Sequence, residues 1–389
     1  MNNSVPFDAA IEAAQLAGCV TLTGSSTDIH SVESFGVMDI ASRTPMQCDS
    51  LFQIASMTKA ITSVAALQCV ERGLLSLDSP LGEILPDLDA LEVVDGRDEN
   101  GRPKFRPARR RITLRHLLTH TSGLGYLFAN AELASLFDAK STPKPGSLDS
   151  IRLPLLFDPG DRWEYGVSTD WVGLAVEAVT GVTLDAYIET AVTKPLGMAD
   201  TYFFPPDTVR PRCATLYGRG KSDRLEPMGF EIGGGRGAEL VSGGGGLWST
   251  AADYARFLQM VMQGGSRDGV QILRRETIAM MTSNQIGSHA AGTMGSAMPQ
   301  FALPYEQFPG MTCSWSLAFL LNPQAGPNGR AANSLAWAGI ANCYYWVDLT
   351  NDLFGIFLTQ LLPFADPRAL EAFAAFERQA YAKASCLDS

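Results

Sequence analysis

The residues best suited to chemistry in this chain are Ser56 and Lys59, the ends of the run Ser56-Met57-Thr58-Lys59. Residues three apart on a helix share a face, so the amine can reach the hydroxyl. A helix N-terminus disfavours an ammonium and favours negative charge developing on the serine. The pair can therefore act as a nucleophile and its proton acceptor without a histidine. The competing reading is a helix-capping serine beside a surface lysine. A second Ser-x-x-Lys, Ser141-Thr142-Pro143-Lys144, lies in a proline-rich loop that cannot align its ends on a helix. No Gly-x-Ser-x-Gly occurs, which excludes a nucleophile elbow.

Two further groups of residues could complete a site. In Phe157-Asp158-Pro159-Gly160-Asp161-Arg162-Trp163-Glu164-Tyr165 a Pro-Gly turn leads into aromatic residues and can present the Tyr165 hydroxyl. A phenol beside lysines can have its pKa drawn toward neutrality and exchange protons with a serine. Trp337-Ala338-Gly339 ends a late strand, where small residues let a substrate lie along the edge. The Ile340 N–H that follows could join that of Ser56 as an oxyanion hole. Alone, each group also reads as ordinary structure: a core tyrosine, and a strand ending in a turn.

The elements that must hold these residues can be read from periodicity. Residues 6–18 form a short amphipathic helix, followed by candidate strands CVTLTG and HSVESFGVM. From Ser56 to Gly73 the helical pattern is apolar nearly all round, which marks a buried helix that Gly73 stops. The middle of the chain mixes short helices (ITLRHLLTH, DWVGLAVEAVT, TLDAYIETAV, TAADYARFLQMVMQ) with Gly/Pro-punctuated loops. Strand character returns in SWSLAFLLN, ANSLAWAG, CYYWVDL and LFGIFLTQ, and a helix from Pro367 to Lys383 closes the chain. Strands at both ends around a helical insertion predict one antiparallel sheet built from both ends.

Composition limits the partners. The 389 residues are 46% hydrophobic and 18% charged, the balance of an ordinary globular protein. A net charge of −11 makes nucleic acid and anionic membrane poor partners. The first residues, MNNSVPFDAA, do not read as a signal peptide, and the apolar run Leu353–Phe364 is too short to span a bilayer. Seven scattered cysteines without a CxxC pair read as reduced thiols of a cytoplasmic protein, and four dispersed histidines suggest no metal site. Arg97–Arg111 carries seven Lys/Arg residues yet reads as a solvated loop or lid, and with Gly125–Ser150 it is expected at the pocket rim. Neither Gly233–Gly237 nor Gly243–Gly246 is followed by Lys-Ser/Thr, so they read as turns that let backbone approach another surface.

Taken in order, the three blocks resemble those of the serine β-lactamase and penicillin-binding-protein superfamily. The chain is most similar to its class C-like esterases (family VIII carboxylesterases) and to the related acyltransferase of lovastatin biosynthesis. Further matching stretches are LQCVERGLLSLDSPLGEILPDL, ITLRHLLTHTSGLGY, DPGDRWEYGVSTDWVGLAVEAVTG, KPLGMADTYF and SGGGGLWSTAADYARF, so the likeness runs from about residue 10 to the end. It implies an α/β, β-lactamase-like fold: an antiparallel sheet flanked by helices (1–75 and 271–389) with a mainly helical domain inserted (76–270) and the site in the groove between them. It implies Ser56 as the acylated nucleophile, Lys59 as its proton partner and Tyr165 as general base or relay. His116 and His120 are assigned to packing.

The departures bear on substrate. Tyr165-Gly166-Val167 stands where class C β-lactamases have Y-x-N, and Trp337-Ala338-Gly339 where they have K-T-G. An amide and a cation that would grip a β-lactam are replaced by apolar groups. The expectation is a serine carboxylesterase for small or medium apolar esters that needs no metal or organic cofactor. The alternatives are acyl transfer to an alcohol or amine, weak β-lactamase activity, and a penicillin-binding sensor that acylates without turnover.

Overall fold

The structure, a computed structural model, describes residues 7–220 and 222–387, without the side chains of 385–387. Pro6, the expected first residue of the opening helix, and the Cys386 thiol lie outside that description.

The strands at the two ends of the chain join in one eight-stranded antiparallel sheet, in the order Ser314–Trp315, Leu320–Leu321, Leu335–Gly339, Cys343–Asp348, Leu353–Thr359, Gly18–Gly24, Ile29–Asp39 and Thr44–Pro45. The seam between the ends is the pairing of Gly18–Gly24 with Leu353–Thr359, where Cys19 faces Thr359 and Gly24 faces Phe354. All residues of Cys343–Asp348 are buried, because both faces of the sheet are covered. Side chains alternate along a strand, so Tyr344 and Trp346 point one way and Tyr345 the other. Tyr344 stacks on Phe373 and Trp346 meets Phe376, both from the final helix Pro367–Leu387. Tyr345 meets Tyr254 of helix Ala251–Met262 on the opposite face. That helix packs on Gly18–Gly24 and Leu353–Thr359, although it falls within the stretch expected to be inserted.

SWSLAFLLN was expected as a single strand. Instead it folds back on itself between Ser314–Trp315 and Leu320–Leu321. The Ser316 hydroxyl accepts from the N–H groups of Ala318 and Phe319, which satisfies the donors that a continuous strand would have paired. The Arg97–Arg111 stretch, expected as a loop, forms a hairpin of Glu92–Arg97 with Pro103–Pro107. Its positive charge is consumed locally: Arg106 grips Asp158 through both terminal nitrogens and Arg110 pairs with Asp161. These arginines therefore tie down the turn that precedes Tyr165. Among the described residues, no single helix is long and apolar enough to cross a membrane.

Candidate active site

Ser56 sits in a 3-10 turn, Ala55–Met57, that runs directly into helix Thr58–Glu71. From Leu51 to Leu67 every residue is buried except Ser56, so the hydroxyl is the one group of this segment that reaches the surface. It caps neither helix; the capping positions are Ile54 and Met57, and neither makes a side-chain cap. Ala55, immediately before it, holds φ at +46°, an unfavourable conformation for a residue with a Cβ. The strand Leu335–Gly339 holds this turn in place. A Cβ on Gly339 would lie 2.4 Å from the Ile54 carbonyl oxygen, so only glycine allows the strand to press this close. Gly339→Ala should lower stability by about 1–3 kcal/mol, read as a fall in the urea midpoint at constant slope. The contact brings Ile340, the next residue, to the end of the strand beside the Ser56 turn.

Lys59 is 2% exposed, which disposes of the surface-lysine reading. Its Nζ has three acceptors: Ser56 Oγ at 3.1 Å, Tyr126 Oη at 2.9 Å and the Gly244 carbonyl at 2.6 Å. Three N–H groups would satisfy all three. After loss of a proton, the lone pair must face a group that can donate, and the Gly244 carbonyl cannot. The Ser56 hydroxyl, like that of Tyr126, can then donate to the amine. Burial drives that loss: it pulls the Lys59 pKa down to about 7, against a smaller upward pull from the Asp170 charge.

Tyr165 is buried on the other side of Ser56, with the Lys59 Nζ 4.8 Å from its ring centroid. Its hydroxyl interacts with the Ser56 side chain and accepts a 2.8 Å hydrogen bond from the Trp337 indole N–H. The phenol does not titrate toward neutrality as expected. Burial raises its pKa, and the hydrogen bonds from Ser56 and Trp337 offset only part of that.

Trp337, expected to offer apolar surface to a substrate, is 3% exposed. It lies directly across the sheet from Tyr345 and so shares that face. Its ring packs edge-on to Trp315 at 4.6 Å and against Tyr165 at 4.7 Å. Ala338 is buried in the same strand. The His116 ring accepts from the Thr113 N–H at Nδ1 and its backbone N–H donates to Thr113 Oγ1, the capping box of helix Leu114–Leu118. His120 lies under Tyr165 with ring centroids 4.8 Å apart, in the packing role expected of it.

Sequence reasoning missed Tyr126, Gly244 and Asp170. Tyr126 donates or accepts at Lys59 and stacks on Phe128, so the start of the Gly125–Ser150 stretch lines the site. Asp170 is the one acidic residue in the first turn of helix Ser168–Thr180, and that carboxylate was the available signal. Among the described residues no group of three or more His, Cys, Asp or Glu side chains could hold a metal ion.

A family model described as Beta-lactamase matches residues 7–380. Monacolin J acid methylbutanoyltransferase of Aspergillus terreus is 31% identical over 97% of this chain and 94% of its own. Lovastatin esterase of Penicillium rubens is 32% identical over 90% of each. The solved unliganded simvastatin synthase of Aspergillus terreus superposes with a TM-score of 0.80 at 29% identity, covering 97% of this chain and 96% of that one.

Proposed function

The chain belongs to the beta-lactamase family, with a methylbutanoyltransferase and an esterase among its relatives, and from that premise we propose a carboxylic ester hydrolase in which Ser56 is the acylated residue. The observation that carries the proposal is the buried Lys59 amine 3.1 Å from the Ser56 hydroxyl, with a pKa near 7. Neutral Lys59 takes the Ser56 proton as the oxygen attacks the ester carbonyl. The backbone N–H groups of Ser56 and Ile340 receive the oxyanion. The Tyr165 hydroxyl gives its proton to the leaving alkoxide, the Ser–acyl bond having formed and the acyl–oxygen bond having broken. The Lys59 ammonium then reprotonates the tyrosine. Water repeats the sequence in reverse and frees the acid.

Trp337 has a defined part in this cycle. Its indole N–H points at the Tyr165 oxygen, so it supports the transient phenolate while adding no fixed positive charge. An uncharged donor at this place favours neutral, apolar esters over anionic β-lactams. Trp337→Phe keeps the ring and loses the N–H. It should lower kcat about 10- to 100-fold on alkyl esters, the worth of about 1.5–3 kcal/mol for a hydrogen bond to a charged group. The loss should be much smaller on p-nitrophenyl esters, whose leaving group needs no proton. Equal losses on both would refute the role.

A second reading is acyl transfer, favoured by the likeness to a methylbutanoyltransferase across 97% of the chain. The two part at the acyl-enzyme, where water competes with an alcohol or amine. Steady turnover of a short-chain p-nitrophenyl ester, with an alcohol added and products followed by mass spectrometry, tests both. Free acid alone supports hydrolysis and a new ester supports transfer. A single stoichiometric burst contradicts both in favour of a sensor.

A further inference from the structure

Asp170 is 4% exposed and does not contact Ser56, yet it is wired to the amine that does. Its Oδ1 accepts from Ser242 Oγ at 2.7 Å and from the Gly244 N–H at 3.0 Å. The same Gly244 peptide offers its carbonyl to Lys59 Nζ at 2.6 Å, the shortest of the three lysine contacts. Next to it, Gly243 accepts from Thr62 Oγ1 at 2.8 Å, one helical turn beyond Lys59. Neither glycine tolerates a side chain: a Cβ on Gly244 would lie 2.5 Å from the Asp170 carboxylate, and one on Gly243 2.9 Å from the Thr169 carbonyl. The glycine run is the tight turn expected of it, closed on the Ser242 carbonyl by the Gly245 and Gly246 N–H groups, and it forms a strap laid between the carboxylate and the lysine.

We propose that Asp170 is a positioning residue for the acyl-transfer pair, acting through the Ser242–Gly244 strap to fix the Gly244 carbonyl on Lys59 and so keep the other valences of the amine on the Ser56 and Tyr126 hydroxyls. This rests on the reading of Ser56 and Lys59 as that pair. Without the strap the amine would keep its depth in the core but lose its orientation, since Tyr126 can both donate and accept and cannot dictate which way the lone pair points.

The charge adds a second effect. The titratable groups facing Lys59 are His120, Tyr126, Tyr165 and Asp170, from the elements packed around it. Burial holds both phenols neutral, and burial together with the Lys59 charge keeps His120 unprotonated. Burial raises the Asp170 pKa, opposed by the Lys59 charge and by the Ser242 and Gly244 donors that converge on Oδ1; ionised, this carboxylate is the negative charge that stabilises the lysine ammonium.

Asp170→Asn separates the charge from the strap, because the amide oxygen can keep the Ser242 and Gly244 bonds. The acid limb of kcat/KM should move down by about 1–3 pH units, the usual effect of removing an opposite charge at this range. The plateau should fall as well, since a less basic amine takes the serine proton less readily. An acid limb left at the wild-type position would overturn the inference while leaving Ser56 and Lys59 in their roles. Activity surviving in Ser56→Ala would instead overturn the reading it rests on. Should Asp170→Asn fail to fold, Ser242→Ala carries the test, because it removes one of the two bonds between the strap and the carboxylate and leaves the charge in place. It should lower kcat about 10-fold with KM and melting temperature nearly unchanged; an unchanged kcat would overturn the inference.

Discussion

Ser56→Ala is expected to lower kcat by about 10⁴-fold or more on every ester tested, with a melting temperature within a few degrees of wild type. The asymmetry follows from where the residue sits. Ser56 is the only residue between Leu51 and Leu67 that is not buried, and it caps no helix, so removing its oxygen costs little packing and no capping bond. In the proposed cycle, by contrast, nothing else can carry the acyl group. The Tyr165 and Tyr126 hydroxyls are held protonated by burial, and the Cys19, Cys69, Cys313 and Cys343 thiols are buried with raised pKa values. Activity retained to within tenfold in Ser56→Ala would move the nucleophile elsewhere.

Lys59→Met should cost about 10³-fold in kcat/KM, within the range of general-base catalysis, and should also change its shape with pH. Wild-type activity is expected to rise through pH 7 as the lysine loses its proton, and this limb should vanish in the variant. Stability gives an independent reading with a definite sign. The lysine holds its proton to about pH 10.4 in the unfolded chain and to about 7 in the folded one. Between those values the unfolded state binds more protons, so wild-type stability climbs as pH rises through this window and is lowest, on this account, below it. Methionine carries no such penalty. The melting temperature of Lys59→Met relative to wild type should therefore be most favourable at pH 6 and shrink toward pH 10. A difference independent of pH would mean that Lys59 is charged in the folded protein.

Much of this arrangement was legible in the sequence, for a physical reason. The Ser56–Lys59 pair is local, three residues apart on one helical face, and the strands that carry Trp337 and the seam at Cys19 announce themselves by strand-length runs rich in apolar and β-branched residues. What stayed hidden is what closes over long separations. Lys59 reaches Tyr126 across 67 residues and Gly244 across 185, and no periodicity marks either partner. The protonation state of Tyr165 was misjudged for a related reason. Its phenol was placed beside a lysine, but burial acts on both groups and outweighs the donors that would stabilise a phenolate. Trp337 was recognised as a departure from a cation, whereas the direction of its N–H depended on the register that sets it opposite Tyr345.

The central claim, that an acyl group passes through Ser56 with Lys59 as its base, is tested most directly by trapping the intermediate. The protein is mixed with an ester above neutral pH, where Lys59 is deprotonated, then rapidly quenched in acid, digested and mapped by tandem mass spectrometry, in parallel with Ser56→Ala. The account predicts one acyl group, placed on Ser56 and absent from the variant. An acyl group mapped to another side chain, or turnover by the alanine variant with no adduct on either protein, would contradict it.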